Sequence, residues 1–189
     1  MDRYGEVNKV LKDWEEALSK INSDTFLFAN GDDPALSFLT KNGKHKTYYF
    51  GIEERLMSKD STGHDVDFIY CPNCQTKLEY QKISYSHMGK FKCPKCGFTN
   101  PNTETFTTLS YPLFGTYNIY NANAAALVAN KAFDVPFEEI RKALKDFKPA
   151  FGRQEIVKYK GREVLILLSK NPAGFNQSID AVAKHLHPR

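Results

Sequence analysis

Four cysteines are the residues of this sequence whose type and spacing most directly prescribe chemistry. They form two short knuckles, Cys71-Pro-Asn-Cys74 and Cys93-Pro-Lys-Cys96-Gly97, separated by eighteen residues. Two CxxC turns at that distance read as a zinc ribbon. Each turn aims two sulfurs and its backbone N–H groups at one ion. Together they close a tetrahedron with no open position, which makes the site structural rather than catalytic. Gly97 stands where a tight turn calls for positive φ. The residues between the knuckles read as two strands with a turn near Met88-Gly89. Two disulfides or two redox pairs are the competing readings. A cytoplasmic chain disfavours the first, and a hairpin flanked by both pairs favours metal. His64 and His87 could serve as substitute ligands, but four thiolates already complete the ion.

Charge follows the same segment. The chain has 26 Lys+Arg against 22 Asp+Glu, a net of +4. Between Cys71 and Cys96, five lysines (Lys77, Lys82, Lys90, Lys92, Lys95) meet one acid, Glu79. Zinc on four thiolates carries about −2, so much of this excess can balance the metal site. The alternative function is a zinc-ribbon module that binds nucleic acid or protein, with Tyr80, Tyr85 and Phe91 stacking on bases. The plainer role for these aromatics is a miniature core.

A ribbon of roughly 30 residues is too small to be the whole of a 189-residue protein, so it reads as an insertion in a larger domain. No apolar run reaches the roughly 18 residues that span a bilayer. The charged N-terminus lacks the apolar region of a secretory leader. The expected location is cytoplasmic and not transmembrane. Val7, Val10, Leu11, Trp14, Leu18 and Ile21 form a helical stripe over residues 5–21. Strands are expected at 25–28, 46–50 and 105–109, and a turn at Asn30–Pro34. Helices follow from Tyr117 to about Asn130 and from Pro136 to Phe147. A hairpin, 156–159 and 163–168, turns at Lys160-Gly161, and a last helix runs to about His185. The run Val164–Leu168 is continuously apolar, as in a strand buried on both faces. Strand and helix alternate, so the class is α/β.

Five phrases carry a family resemblance: DRYGE (2–6), NGDDP (30–34), GTYNIYNANAAA (115–126), AFGRQE (150–155) and SKNPAGFNQ (169–177), with the ribbon between the second and third. Together they resemble the MurT family, the Mur-ligase-like subunits of the enzyme that amidates lipid II. The third phrase is shared in looser form by Mur ligases generally. The ribbon and KNPAGFNQ point to this branch. The resemblance implies a partial Mur-ligase central domain over 1–148, a Rossmann-like sheet with helices, carrying the zinc ribbon at about 66–102. The start of a C-terminal α/β domain would occupy 149–189. It implies a reaction in which ATP phosphorylates the α-carboxylate of D-glutamate in the lipid II stem peptide. Ammonia from a GatD-like glutaminase subunit then gives D-isoglutamine. Lipid II is the substrate, structural Zn2+ the resident metal, and ATP with Mg2+ act in the complete protein. No nucleic-acid partner is expected.

The resemblance also places residues. Asn118 and Asn121 match positions that hydrogen-bond adenine, and their plainer role is to cap the following helix. Arg153 matches a catalytic arginine that contacts the terminal phosphates at a domain junction, with a surface pair to Glu155 as its plainer role. Lys170 and Asn171 match a nucleotide-facing loop. Many Mur ligases have Asp at the position of Leu167 and His at that of Lys170, so an exposed loop lysine competes for Lys170. The family's Gly-rich phosphate loop and a magnesium-binding Glu are expected upstream of Met1, and an acidic residue that works with the glutaminase beyond Arg189. The chain alone is thus expected to be an inactive internal segment. Asn42-Gly43-Lys44-His45 lacks the phosphate-loop pattern and reads as a turn. Asp32 and Asp33 read as turn residues before Pro34 rather than as a catalytic carboxylate pair.

Overall fold

A helix comes first in the described fold, followed by a strand, a second helix and a strand parallel to the first. The computed structural model describes residues 7–41, 43–58, 69–106, 109–148, 154–170 and 172–186. They fall into two units, one up to Thr105 and one from Phe106.

In the first unit, α1 (Val7–Lys20) precedes β1 (Leu27–Asn30), α2 (Pro34–Lys41) and β2 (Thr47–Phe50). Strands β1 and β2 pair in parallel, Leu27 opposite Thr47 and Asn30 opposite Phe50. The first strand starts two residues later than expected. Asp33 starts α2: its Oδ1 accepts from the N–H groups of Ala35 (2.8 Å) and Leu36 (3.2 Å), an N-cap with Pro34 at the first helical position. The α1 stripe is only partly covered, since Trp14 remains 48% exposed. The turn before β2 secures the end of α1. Lys44 Nζ donates to the Ser19 carbonyl (3.3 Å) and His45 Nε2 lies 3.0 Å from that of Leu18, satisfying last-turn acceptors. Lys44 and His45 therefore serve the helix end, and residue 42 lies outside the described residues.

Beyond β2 the described chain has a 3₁₀ turn (Glu54–Leu56) and then the hairpin β3 (Glu79–Tyr85) and β4 (Met88–Lys92). It returns to the sheet at Glu104, which bridges Phe50 in parallel. Glu104 N–H donates to Tyr49 O at 2.7 Å, and Gly51 N–H to Glu104 O at 3.3 Å. This bridge precedes the strand expected over 105–109: among the described residues of that span, 105, 106 and 109 are in no strand, and 107 and 108 lie outside the described ones. The hairpin turn is Ser86-His87 rather than Met88-Gly89, with Ser86 at φ +51°. Gly89 instead sits within β4 opposite Ile83. A side chain there would collide with the Lys82 carbonyl and meet Ile83 Cα at 2.9 Å. Its glycine serves close approach, not the turn.

The second unit holds α3 (Thr116–Phe133), α4 (Phe137–Lys145), the antiparallel pair β5 (Glu155–Tyr159) and β6 (Arg162–Ile166), and α5 (Pro172–Leu186). Gly115, at φ +99°, is the residue before α3. Glu138 and Glu139 in the first turn of α4, and Lys142 and Lys145 in its last, complement the helix dipole. Lys160 (φ +49°) and Gly161 (φ +76°) make the expected tight turn. The apolar run Val164–Leu168 departs from expectation, because Val164, Ile166 and Leu168 are exposed. The continuous pattern suits a strand flanked on both sides in a covered parallel sheet. Among the described residues, β6 pairs only with β5, antiparallel.

Candidate functional site

The two cysteine knuckles are built as the same turn twice. Gln75 N–H donates to Cys71 O (2.9 Å), and Gly97 N–H to Cys93 O (3.1 Å). Cys71 N–H donates to Thr76 O (2.8 Å), and Cys93 N–H to Phe98 O (2.7 Å). Both turns end in left-handed backbone, Gln75 at φ +59° and Gly97 at φ +72°. The positive φ read from the sequence at Gly97 is therefore present, and a glutamine adopts it in the first knuckle.

This repeated geometry brings the four sulfurs together. All four Sγ atoms lie within 4.8 Å of one another. Cys71 is 3.6 Å from Cys96, and Cys74 is 3.4 Å from Cys93. A zinc tetrahedron with bonds of about 2.3 Å has sulfur–sulfur edges of about 3.8 Å. All four cysteines are free, so the set fits a soft tetrahedral cation and could hold a metal ion.

The surroundings distribute charge unevenly over these thiols. The Asn73 side chain and the Phe98 N–H bring Cys96 down to about 6. Thr76, through its hydroxyl and its amide, lowers Cys74. Burial pushes Cys71 up to about 12, against the pull of the Cys74 and Asn73 backbone. The thiolate form is thus favoured at Cys96 and Cys74, while Cys71 sits where an uncompensated anion is disfavoured. A cation among them removes that penalty.

Beneath the knuckles Cys71, Leu78, Phe91, Cys93 and Phe98 form a buried cluster, with Phe38 of α2 and Tyr80 packed on it. Phe91 and Phe98 have centroids 5.4 Å apart, and Phe38 meets Phe98 edge-on at 6.0 Å. Phe91 and Tyr80 are thus core residues. The lysines are answered partly by carboxylates: Lys90 pairs with Asp32 at 2.6 Å and Lys82 with Glu54 at 3.1 Å. His87 Nε2 lies 3.3 Å from Asp33 Oδ2, and residue 64 lies outside the described set.

Two residues were not singled out by sequence as supports for this site. The sequence places Asp32 in a turn, yet its side chain is wholly buried. Its Oδ2 accepts from Ile52 N–H (3.0 Å) and its backbone carbonyl from Gly89 N–H (2.9 Å). Asn100 donates from Nδ2 to the carbonyls of Gly31 and Gly89 (both 2.9 Å) and accepts from Phe91 N–H (2.8 Å). Both tie the hairpin to the β1–α2 turn. The only local signal was the Asn-Pro dipeptide at 100–101, which reads merely as a turn.

In the second unit, Asn118 and Asn121 come together on α3. Neither caps the helix, which begins at Thr116 after Gly115. Buried Asn118 donates from Nδ2 to Phe114 O (2.9 Å), and exposed Asn121 donates to Asn118 Oδ1 (3.3 Å). Lys170 is exposed on the loop after β6. Arg153 and Asn171 lie outside the described residues.

A profile of the Mur ligase middle domain matches residues 1–129. The chain belongs to the Mur ligase middle-domain family. Among curated Mur-type relatives, it is similar to the MurT subunit of lipid II isoglutaminyl synthase (glutamine-hydrolyzing) from Streptococcus pneumoniae, 28% identical across 100% of this chain and 45% of that protein. The MurT subunit from Staphylococcus aureus is 29% identical across 95% of this chain and 43% of its own length. The chain thus spans less than half the length of these relatives. A solved pseudomurein peptide ligase type C from Methanothermus fervidus superposes with a TM-score of 0.70 at 27% identity, over 96% of this chain and 38% of that one. The Mur ligase middle-domain profile covers β1, α2, β2, the whole ribbon and most of α3.

Proposed function

We propose that this chain is part of an ATP-dependent amide ligase subunit that modifies a peptidoglycan precursor; its MurT relatives are named as subunits of lipid II isoglutaminyl synthase (glutamine-hydrolyzing). The observation that carries the reading is the extent of the likeness: it runs through the whole chain, ribbon included, rather than over one motif. In the proposed reaction a substrate carboxylate oxygen takes the γ-phosphoryl group of ATP. Ammonia nitrogen then attacks the carbonyl carbon, and phosphate leaves with the C–O electron pair. The finer reading is that the carboxylate is the α-carboxylate of D-glutamate in lipid II. Ammonia would come from a GatD-like glutaminase partner, and the setting would be cytoplasmic.

Residue roles follow from that reading. Asn118 and Asn121 would meet the adenine edge with amide donors and acceptors. Arg153 would hold the terminal phosphates with a bidentate guanidinium, and Lys170 and Asn171 would line the nucleotide. Cys71, Cys74, Cys93 and Cys96 would hold Zn2+ in a closed, structural site. Residues 1–148 would be central domain and 149–189 the start of a C-terminal domain.

The experiment is reconstitution. The complete ligase protein containing this chain is purified with and without a glutaminase subunit from the same genome, then supplied with lipid II, ATP, Mg2+ and glutamine. Mass spectrometry should find a stem-peptide hydroxyl replaced by an amino group only when both proteins are present. An unmodified stem peptide would reject the substrate assignment.

A further inference from the structure

Gln154 combines three observations that none of the roles above explains. It is buried, at 7% exposure. Its backbone is left-handed, with φ +57°, a conformation that a non-glycine residue keeps only when its surroundings hold it there. Its carboxamide is also fully engaged with the entrance to α3. Oε1 accepts from Phe114 N–H (2.8 Å), while Nε2 donates to Phe114 O (2.6 Å) and to the Tyr117 hydroxyl (2.8 Å). Grasping both the N–H and the C=O of one residue is what a neighbouring β-strand does, here performed by a side chain.

The grip reaches further through one atom. The Phe114 carbonyl that accepts from Gln154 also accepts from Asn118 Nδ2 (2.9 Å), and Asn118 Oδ1 accepts from Asn121. Gln154, Phe114, Asn118 and Asn121 thus form a continuous chain of hydrogen bonds. Asn118 keeps one N–H and one lone pair for other partners. The direction in which they point depends on where Phe114 O is held. Gly115, at φ +99°, stands between Phe114 and the helix.

We propose that Gln154 is a positioning residue for the nucleotide base: by clamping Phe114 it presets the Asn118–Asn121 amide pair. The inference rests on the reading of those asparagines as adenine contacts. It adds that their aim is set from the strand side, by the residue next to Arg153.

The test uses this 189-residue chain, titrated with adenosine and with inosine while the Asn118 and Asn121 side-chain amide resonances are followed by NMR. In the unaltered chain both amides should shift, and adenosine should bind more tightly than inosine. Gln154→Met removes the clamp at similar volume and should weaken adenosine binding about tenfold, the scale of one or two neutral hydrogen bonds. It should also bring the adenosine-to-inosine ratio towards one. Tyr117→Phe removes only the hydroxyl contact. It should stay folded and change the ratio in the same direction by less, which keeps the proposal testable if Gln154→Met unfolds. Variants that melt earlier yet keep the wild-type ratio would overturn the positioning role and leave the adenine reading standing. No shift of either amide in the unaltered chain would overturn the adenine reading, and the proposal with it.

Discussion

Lys90 on the ribbon hairpin places its ammonium 2.6 Å from Asp32 Oδ1, in the turn that follows β1. The carboxylate is fully buried and the lysine side chain only 21% exposed. This pair, Gly89 N–H on Asp32 O, and Asn100 across Gly31 and Gly89 weld the hairpin to the sheet. Removing one partner strands a buried charge. Lys90→Met should therefore destabilise the first unit by about 3–5 kcal/mol. Lys90→Met combined with Asp32→Asn should cost less than the sum of the two single changes. Urea unfolding of the four proteins reads this out directly, and additive effects would show that the pair is not coupled.

Loss of metal should spread beyond the ribbon. Read as an insertion, the ribbon could melt alone. But Phe38 of α2 packs on the ribbon cluster, and Asp32 depends on Lys90. Structural zinc contributes on the order of 10 kcal/mol of apparent binding free energy in small sites. Chelation, or Cys93→Ser, should accelerate amide exchange in α2 and β1 as well as in β3 and β4, and leave α3 unchanged. Metal analysis of fresh, reduced protein should give about one zinc per chain. Protection retained throughout the hairpin without metal would contradict a structural role.

Alkali should loosen the ribbon hairpin. Burial, assisted by the negative charge of Asp33, raises the Tyr85 phenol from its ordinary value of about 10 to about 12. The folded state therefore keeps its proton where the unfolded state has lost it. That contribution to stability is complete below pH 10 and declines as pH rises from there towards 12. Tyr85→Phe should flatten the decline. The checks are phenolate ultraviolet absorbance and the melting temperature across this window. A Tyr85 that ionises at the ordinary value would remove the effect.

Arg153 should matter to turnover rather than to folding. On the proposed function, Arg153→Ala in the complete protein assayed with a glutaminase subunit should lower amidation by roughly 10²-fold, the scale of a removed electrostatic stabiliser. Arg153→Lys should restore little, since ammonium lacks the planar fork. Zinc content and the partner's glutamine hydrolysis should not change. Near-normal amidation by Arg153→Ala would make it a surface residue.

What the sequence disclosed divides along the range of the interactions. The knuckles were legible because each is closed by bonds four or five residues apart, and short spacing encodes them. The same holds for the Lys160-Gly161 turn and the helices. Gly89 misled because glycine answers to two demands, positive φ and close approach, and only the packed hairpin says which applies. Asp32 misled because its turn position is local, while its carboxylate serves Ile52 and Lys90. Val164–Leu168 misled because apolarity states what a strand tolerates, not what neighbours it has. Gln154 was invisible, since a side chain that imitates a strand leaves no periodic trace.

The bridge between Phe50 and Glu104 means that the long excursion carrying the ribbon leaves and rejoins the sheet at adjacent points. In polymer terms it is a loop whose ends are already fastened. Doubling the length of such a loop costs only about 0.6 kcal/mol of closure entropy. A metal joining Cys71 to Cys96 divides it further into a closed inner ring and two outer arms. Insertions and deletions between related chains should therefore gather in the arms, where length is nearly neutral. The span between the knuckles should hold its length, because there each added residue would displace a ligand.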